Sequence, residues 1–185
     1  QDELAPVHLS ASGGASFINK GLVKNMAGRA AIYGYFIQGA GDFTIDSRVG
    51  QVEGYVHIEK QTAGNIDVDF GSIVNTASND ALVIEQFSSN AGTVNVDAGT
   101  ISSSPSTAIK ITNFANATTT VQTRDRIEGT RGIYALHTGN ADQTITVGQT
   151  SQIIGTSSHG IELTSNTAGA GTTIRGNANA MPGAL

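Results

Sequence analysis

The stretch GTRGIYALHTGN at residues 129–140 decides the fold, because its pattern returns in GTSSHGIELTSN at residues 155–166. Each copy begins with Gly-Thr, passes through a short polar segment to Gly-Ile, and ends in alternating apolar and polar residues followed by Asn. The two copies start 26 residues apart. Self-similarity with a period of roughly 20–50 residues is typical of repeat architectures, so this pattern predicts a stack of similar units.

Three series of short apolar segments recur along the chain at the same period and predict strands. Within a segment, apolar and polar residues alternate, and alternation with period two indicates a β-strand. The first series comprises Phe43/Ile45, Ile66/Val68, Val94/Val96, Thr119/Val121 and Ile145/Val147. The second series comprises Ile32, Val56/Ile58, Leu82/Ile84, Ile109/Ile111, Ile133 and Ile161/Leu163. The third, weaker series comprises Val23, Val52, Ile73, Ile101, Ile127 and Ile153.

Segments rich in Gly and Asn, such as QTAGN and NTAGAGT, separate the second series from the next copy of the first. Gly and Asn suit sharp corners, and small side chains let neighbouring corners stack. Three strands and three turns in about 25 residues describe one rung of a parallel β-helix, in which each strand pairs with its equivalent in the next rung. The sequence therefore predicts an all-β solenoid of about six rungs. A two-sheet sandwich is the alternative, but its hairpins would not keep three series in register.

Composition and charge exclude several classes of partner. The net charge is −5 at pH 7, which disfavours nucleic acid and anionic membrane as the main partner. No apolar run has the length of a membrane span, so we expect no membrane insertion of this segment. The chain has no Cys, which excludes a disulfide framework.

The repeats resemble those of the passenger domains of bacterial autotransporters, the proteins of type V secretion. The stretch GTRGIYALHTGNADQTITVGQTSQIIGTSSHGIELTSNTAG at residues 129–169 carries the resemblance. It extends over roughly residues 15–176 and is strongest from residue 93 onward. The resemblance implies a right-handed β-helix that is exported by a Sec signal and a C-terminal outer-membrane barrel, and it places this chain outside a Gram-negative cell, secreted or on its surface.

The chain divides into three segments under this interpretation. Residues 1–14, with Leu4, Val7 and Leu9, are long enough to cover the first rung as a cap. Residues 15–176 form the β-helix repeats, and residues 177–185 form a flexible C-terminal tail. Because nothing comparable to a cap follows residue 176, we expect the native chain to continue towards a barrel or to meet another chain there.

The outward positions of the predicted rungs do not favour an enzyme. β-Helix lyases and polygalacturonases place charged side chains on one outward face, whereas no two neighbours in the second series here are carboxylates. These outward residues are Tyr33, His57, Val83, Lys110, Tyr134 and Glu162. A glycosidase needs two carboxyl groups at a defined separation. The first series offers Asp46, Asp67, Asp69 and Asp97, which we interpret as a ladder of turn-forming residues.

A short histidine motif is also better explained by the repeat than by catalysis. Ser158-His159-Gly160 matches a polygalacturonase motif, and Arg126–Glu128 is close to the basic motif of that family. The two occur here in the reverse order, and the paired-aspartate motif is missing. The four histidines, His8, His57, His137 and His159, lack metal-ligand spacing. We therefore predict no catalytic residue, no metal and no cofactor.

Two groups of residues are candidates for recognition. Tyr33, Tyr35 and Tyr55 cluster in the first rungs together with Phe36, and exposed aromatic side chains anchor protein or sugar partners. The alternative is that this cluster packs under the N-terminal segment as part of a cap.

The second group is basic. Arg124, Arg126 and Arg131 form a positive spot on an acidic chain, which suits a sulfated glycan or an acidic receptor patch. The alternative is a solvated turn.

The sequence thus predicts a non-enzymatic passenger module that binds a host cell-surface protein or glycan. The resemblance favours an adhesin or virulence factor, and within the family a released ligand of a host receptor, such as a pro-angiogenic one, is a narrower possibility. The alternative from another class is a carbohydrate-active or carbohydrate-binding β-helix, such as a phage tail-spike or a pectin-degrading type of protein. A trimeric spike would expose an apolar stripe, which the outward residues lack.

Overall fold

The computed structural model describes residues 5–25, 28–36, 40–88, 92–166 and 170–176. These residues form seventeen strands, numbered β1 to β17 in chain order, and no helix. The strands are arranged in two sheets, and all their pairings are parallel. The prediction of a parallel β-solenoid of about six turns is therefore confirmed.

The first sheet contains the second predicted series. Its strands, in spatial order, are β1 (Val7–Ser10), β4 (Ala30–Phe36), β6 (Tyr55–Lys60), β8 (Leu82–Gln86), β10 (Ile109–Asn113), β13 (Ile133–His137) and β16 (Ile161–Ser165). Apart from β1 and β16 at the two ends, each of these strands neighbours the strand one rung before it and the strand one rung after it. Neighbouring strands of a sheet lie about 4.8 Å apart, so the rungs rise along the axis at this spacing.

The second sheet contains the first and third predicted series. Its main path, in chain order, is β2 (Ala15–Ile18), β5 (Phe43–Glu53), β7 (Ile66–Asn75), β9 (Val94–Ser103), β11 (Thr119–Thr123), β14 (Gln143–Val147) and β17 (Thr172–Gly176). Three short strands extend it sideways: β3 (Leu22–Lys24) on β5, β12 (Arg126–Gly129) on β9, and β15 (Gln152–Gly155) on β12.

Three rungs differ from the predicted pattern of three separate strands, because β5, β7 and β9 run through both series without a break. Gly71 and Gly99 lie at the bend of β7 and β9. A Cβ on Gly99 would collide with the carbonyl oxygen of Gly71, so the absence of side chains lets the bent backbones stack. In the next rung Asp125 is an additional residue between the two series, and the strand divides there into β11 and β12.

The core is a continuous aliphatic column between the sheets. Burial alternates along the strands, most regularly in β8 and β10, where every second residue is buried. The fully buried aliphatic residues include Ile32, Ile58, Ile66, Ile73, Leu82, Ile84, Ile101, Ile109, Ile111, Ile127 and Ile133. Burial of one such side chain stabilises the fold by about 1.5–3 kcal/mol.

A row of buried polar residues closes one corner of the stack, and we call it the corner ladder: Lys60, Gln86, Asn113 and His137. They are the last residues of consecutive strands of the first sheet, they pair in register, and all are 0% exposed. Their side chains bond to turn carbonyls: Lys60 Nζ donates to the oxygens of Gly41 at 2.7 Å and Ala63 at 2.6 Å, and His137 Nε2 lies 2.8 Å from that of Ala115. The corner ladder thus satisfies backbone oxygens that the turns leave without a strand partner.

The N-terminal segment contributes a strand to the first sheet. Strand β1 pairs with β4 so that Val7 lies beside Ile32 and Leu9 beside Gly34. Val7 and Leu9 pack against the core cluster as partly buried residues. Leu4, the Phe36 side chain and residues 177–185 lie outside the described part of the structure.

Candidate functional site

The outward side of the first sheet carries one continuous row of side chains. The in-register pairing places the following residues side by side: His8, Tyr33, His57, Val83, Lys110, Tyr134 and Glu162. A second outward row, two residues further along each strand, contains Tyr35, Glu59 and Glu85. Because strand side chains alternate between faces, both rows lie on the surface opposite the aliphatic core.

Four rings at the N-terminal end of these rows form what we call the aromatic face: His8, Tyr33, Tyr35 and His57. The Tyr33 ring lies 5.4 Å from the rings of both His8 and His57, and 6.2 Å from Tyr35, with which it is nearly parallel. Both tyrosines are partly exposed. Of the three tyrosines predicted as a binding cluster, Tyr33 and Tyr35 come together, whereas Tyr55 is only 8% exposed.

Two glutamates lie beside the aromatic face on consecutive rungs. Glu59 and Glu85 are register partners of β6 and β8. Glu85 Oε2 lies 3.1 Å from His57 Nε2, and Glu59 accepts a hydrogen bond of 2.6 Å from Gln61. The hydrogen bond from His57 is the main cause of a lowered pKa at Glu85. His57 and Glu85 lie in contact at the rim of the aromatic face, and their side chains are 20% and 25% exposed.

An open polar depression of about 360 Å³ adjoins this surface. Its lining includes His57, Glu85, Asp80, Ser106 and Lys110. Asp80 accepts a hydrogen bond of 2.5 Å from the Ser106 hydroxyl and lies 3.9 Å from Lys110 Nζ. The depression therefore offers carboxylate, hydroxyl and ammonium groups close to the partly exposed ring of Tyr33, which packs on His57.

The aspartates of the first series form a separate network on the outward side of the second sheet. Asp46, Asp69 and Asp97 are register partners in β5, β7 and β9. Arg48 contacts Asp46 at 2.8 Å and Asp69 at 3.2 Å. Arg124 contacts Asp69 at 2.5 Å and Asp97 at 2.7 Å. The interpretation of these aspartates as turn residues is wrong, because they lie within strands and alternate with inward residues.

The charges of this network compensate one another. The hydrogen bond from Arg48 lowers the pKa of Asp46 to about 2. Burial raises the pKa of Asp69, although the charge of Arg124 opposes this shift. A depression of about 370 Å³ lies over the three aspartates. Two arginines occupy the positions between the carboxylates, so the arrangement cross-links three rungs.

The three arginines predicted as a basic spot do not form one cluster. Arg124 belongs to the aspartate network of the second sheet. Arg126 pairs with Glu128 at 2.8 Å and donates to Gln152. Arg131 lies 3.3 Å from a carboxylate oxygen of Glu162 and 4.7 Å from the centre of the Tyr134 ring, over the first sheet.

Each arginine thus has an acidic partner, which reduces the positive potential of that region.

His159 of the short histidine motif is 70% exposed, with its ring 3.6 Å from Glu162.

One exposed aromatic pair was missed in the sequence. Phe87 and Phe114 stack with ring centres 5.3 Å apart and are 43% and 37% exposed. They follow β8 and β10 directly, and their spacing of 27 residues equals the offset between these two strands. That spacing was the signal that could have identified them.

Comparisons of the chain with models of protein families, with curated proteins and with solved structures found no match. The part of the chain that the structure describes contains no helix with the length and apolar character of a membrane crossing.

Proposed function

We propose that this chain is a binding module of an autotransporter passenger, secreted or displayed on a bacterial surface, and that its aromatic face binds a component of the host cell surface. The observation that carries the proposal is the stack of Tyr33 and Tyr35 on the outward side of the first sheet, next to carboxylates and an open polar depression. The passenger assignment is supported by the resemblance of the repeats and by the β-solenoid that they form.

A glycan fits this surface better than a protein partner does. Sugar rings pack their C–H groups against aromatic rings, and their hydroxyls hydrogen-bond to carboxylates and ammonium groups. Tyr33 and Tyr35 supply the rings, and Asp80, Glu85 and Lys110 supply the polar groups of the adjoining depression. The depression is open and polar, whereas the central part of a protein interface is usually depleted of charged residues.

Binding to cells tests the proposal directly. The labelled chain is expected to bind cultured human endothelial or epithelial cells saturably, with displacement by unlabelled chain. Tyr33→Ala and Tyr35→Ala should each weaken binding about tenfold or more, which corresponds to about 1.4 kcal/mol. Phe114→Ala is the matched control, because it removes an exposed aromatic ring from a different surface.

The same assay separates the kinds of partner. Oxidation of cell-surface glycans with periodate should abolish binding, whereas binding that survives this treatment would point to a protein receptor. Undiminished binding of both tyrosine variants would contradict the role of the aromatic face.

The second candidate is a carbohydrate-active protein, which is favoured by one observation. The pKa values of Asp46 and Asp69 shift in opposite directions beneath a depression of about 370 Å³, and such a difference is typical of a carboxylate pair that shares acid and base roles. Against it, Arg48 and Arg124 pair with these carboxylates. Release of reducing ends from polysaccharides, and its loss in Asp69→Asn, would favour this candidate over a pure binding module.

A further inference from the structure

We propose that His57, Glu59 and Glu85 form a binding site for one divalent transition-metal ion, with Zn²⁺ the best fit. One ring nitrogen of His57 and one carboxylate oxygen from each of Glu59 and Glu85 lie within 4.8 Å of one another. The site shares His57 and Glu85 with the surface proposed to bind the host component, but its ligand is the metal alone and its test does not require that proposed function.

The solenoid brings the three side chains together from two rungs. His57 and Glu59 are two residues apart on β6 and so project from the same face. Glu85 on β8 is the register partner of Glu59. The spacing of 28 residues between His57 and Glu85 hides this proximity in the sequence, because only the stacking of rungs converts it into contact.

The distances already approach those of a coordination sphere. Zn²⁺ lies about 2.0–2.2 Å from imidazole nitrogens and carboxylate oxygens in tetrahedral sites, so two ligands of one ion are about 3.3 Å apart. His57 Nε2 and Glu85 Oε2 are separated by 3.1 Å. Glu59 completes the triad by a rotation of its flexible side chain, which requires release of its hydrogen bond from Gln61.

Electrostatics also favours a cation at this position. Glu59 and Glu85 are register partners on neighbouring strands and bring two carboxylates to this position. Their combined charge attracts a divalent ion, although the charge of Lys110 near Glu85 acts in the opposite direction. The Tyr33 ring packs 5.4 Å from the His57 ring and limits its reorientation.

The donor set selects among metals. Imidazole suits Zn²⁺ and its neighbours in the first transition row, whereas Ca²⁺ and Mg²⁺ prefer all-oxygen ligands. Three protein ligands leave one tetrahedral position open for water. The open position faces solvent, since His57 and Glu85 are each at least one-fifth exposed.

Isothermal titration of the metal-stripped chain with ZnCl₂ tests the site. We expect one Zn²⁺ per chain and no heat with CaCl₂. His57→Ala and Glu85→Gln should weaken the affinity for Zn²⁺ at least about tenfold. His159→Ala is the matched control, because His159 is an exposed histidine that lies outside the triad and outside the aromatic face.

A second readout locates the ion. In ¹H–¹⁵N spectra of the full chain, Zn²⁺ should shift the ring resonances of His57 and leave those of His159 unchanged. Circular dichroism without metal checks that each variant is folded. The proposal is overturned if the folded wild-type chain binds no Zn²⁺, or if His57→Ala binds it as tightly as the wild type. Neither result bears on the cell-binding assay, which is run in the presence of a chelator.

Discussion

Lys60 shows at the scale of one residue how the solenoid closes its corners. Its side chain is fully buried, and its ammonium group donates to the backbone oxygens of Gly41 and Ala63. Burial lowers its pKa below the usual 10.5. The equivalent residue in the next rung is Gln86, an uncharged donor that reaches the oxygen of Gly64 at 3.4 Å. What the corner requires is therefore a hydrogen-bond donor rather than a charge.

Replacement of Lys60 tests this requirement. Lys60→Met removes the donor of two backbone oxygens and is expected to lower the free energy of unfolding by about 1–3 kcal/mol. Lys60→Gln keeps a hydrogen-bond donor and should therefore lower the free energy of unfolding by less. Urea denaturation measures both values, with Lys110→Met as the control, because the Lys110 side chain is 35% exposed. Equal stability of Lys60→Met and the wild type would show that water satisfies these oxygens.

The lowered pKa of Lys60 predicts that the free energy of unfolding depends on pH. Because the folded-state pKa of Lys60 lies below its unfolded value, the unfolded chain holds a proton that the folded chain has lost between the two values. Stability therefore rises with pH in this window and levels off above 10.5. The stability of the wild type relative to Lys60→Met should rise as the pH approaches 10.5. A constant difference across this range would contradict the lowered pKa.

Single strands display the alternation that defines the fold. On β8, Ile84 is fully buried in the core, and the preceding residue, Val83, lies in the outward row. Ile84→Ala removes packed atoms and leaves a cavity, so we expect a loss of about 2–5 kcal/mol in the free energy of unfolding. Val83→Ala should change it by about 0.5 kcal/mol. Thermal or urea unfolding measures the free energy of unfolding of both variants. Similar losses in Ile84→Ala and Val83→Ala would contradict the assignment of Ile84 to the core and Val83 to the outward face.

Much of this strand pattern was predictable, because the alternation of apolar and polar residues is visible in the sequence. Inward Ile and Val residues recur at period two within strands and at about 25 residues between rungs, and both periods survive in the structure. The continuous strands β5, β7 and β9 were not predictable, since their continuity depends on close backbone contact at Gly71 and Gly99. Glycine at a turn and glycine at a stacked bend look identical in a sequence.

The candidate site was predictable only in part, for a related reason. Tyr33 and Tyr35 are predicted together as aromatic residues of the first rungs, and strand alternation then places both on one face. Glu85 was overlooked because it joins His57 through the exact register of β6 and β8. The arginines were grouped by closeness in sequence, but Arg124 and Arg131 lie on different sheets. Contacts between rungs thus need a register that composition and periodicity do not fix.

The whole molecule is a stack in which each rung packs mainly on its neighbours, so its stability varies along the axis. Every second residue of β8 and β10 is buried, whereas all of β16 is only partly buried and most of β17 is exposed. Hydrogen exchange should therefore be slowest in β8 and β10 and fastest in β17. Mass spectrometry of peptides resolves these strands, and uniform protection would show that the stack opens as a single unit.

The strict register between rungs has a consequence for how such a chain changes in evolution. Leu82 and Ile109 occupy equivalent positions, as do Gln86 and Asn113. A recombination event that deleted or duplicated the residues from one such position to the next would leave each remaining side chain facing the same direction. The molecule can thus become shorter or longer by about 4.8 Å at a time, while the surface of its other rungs is inherited intact.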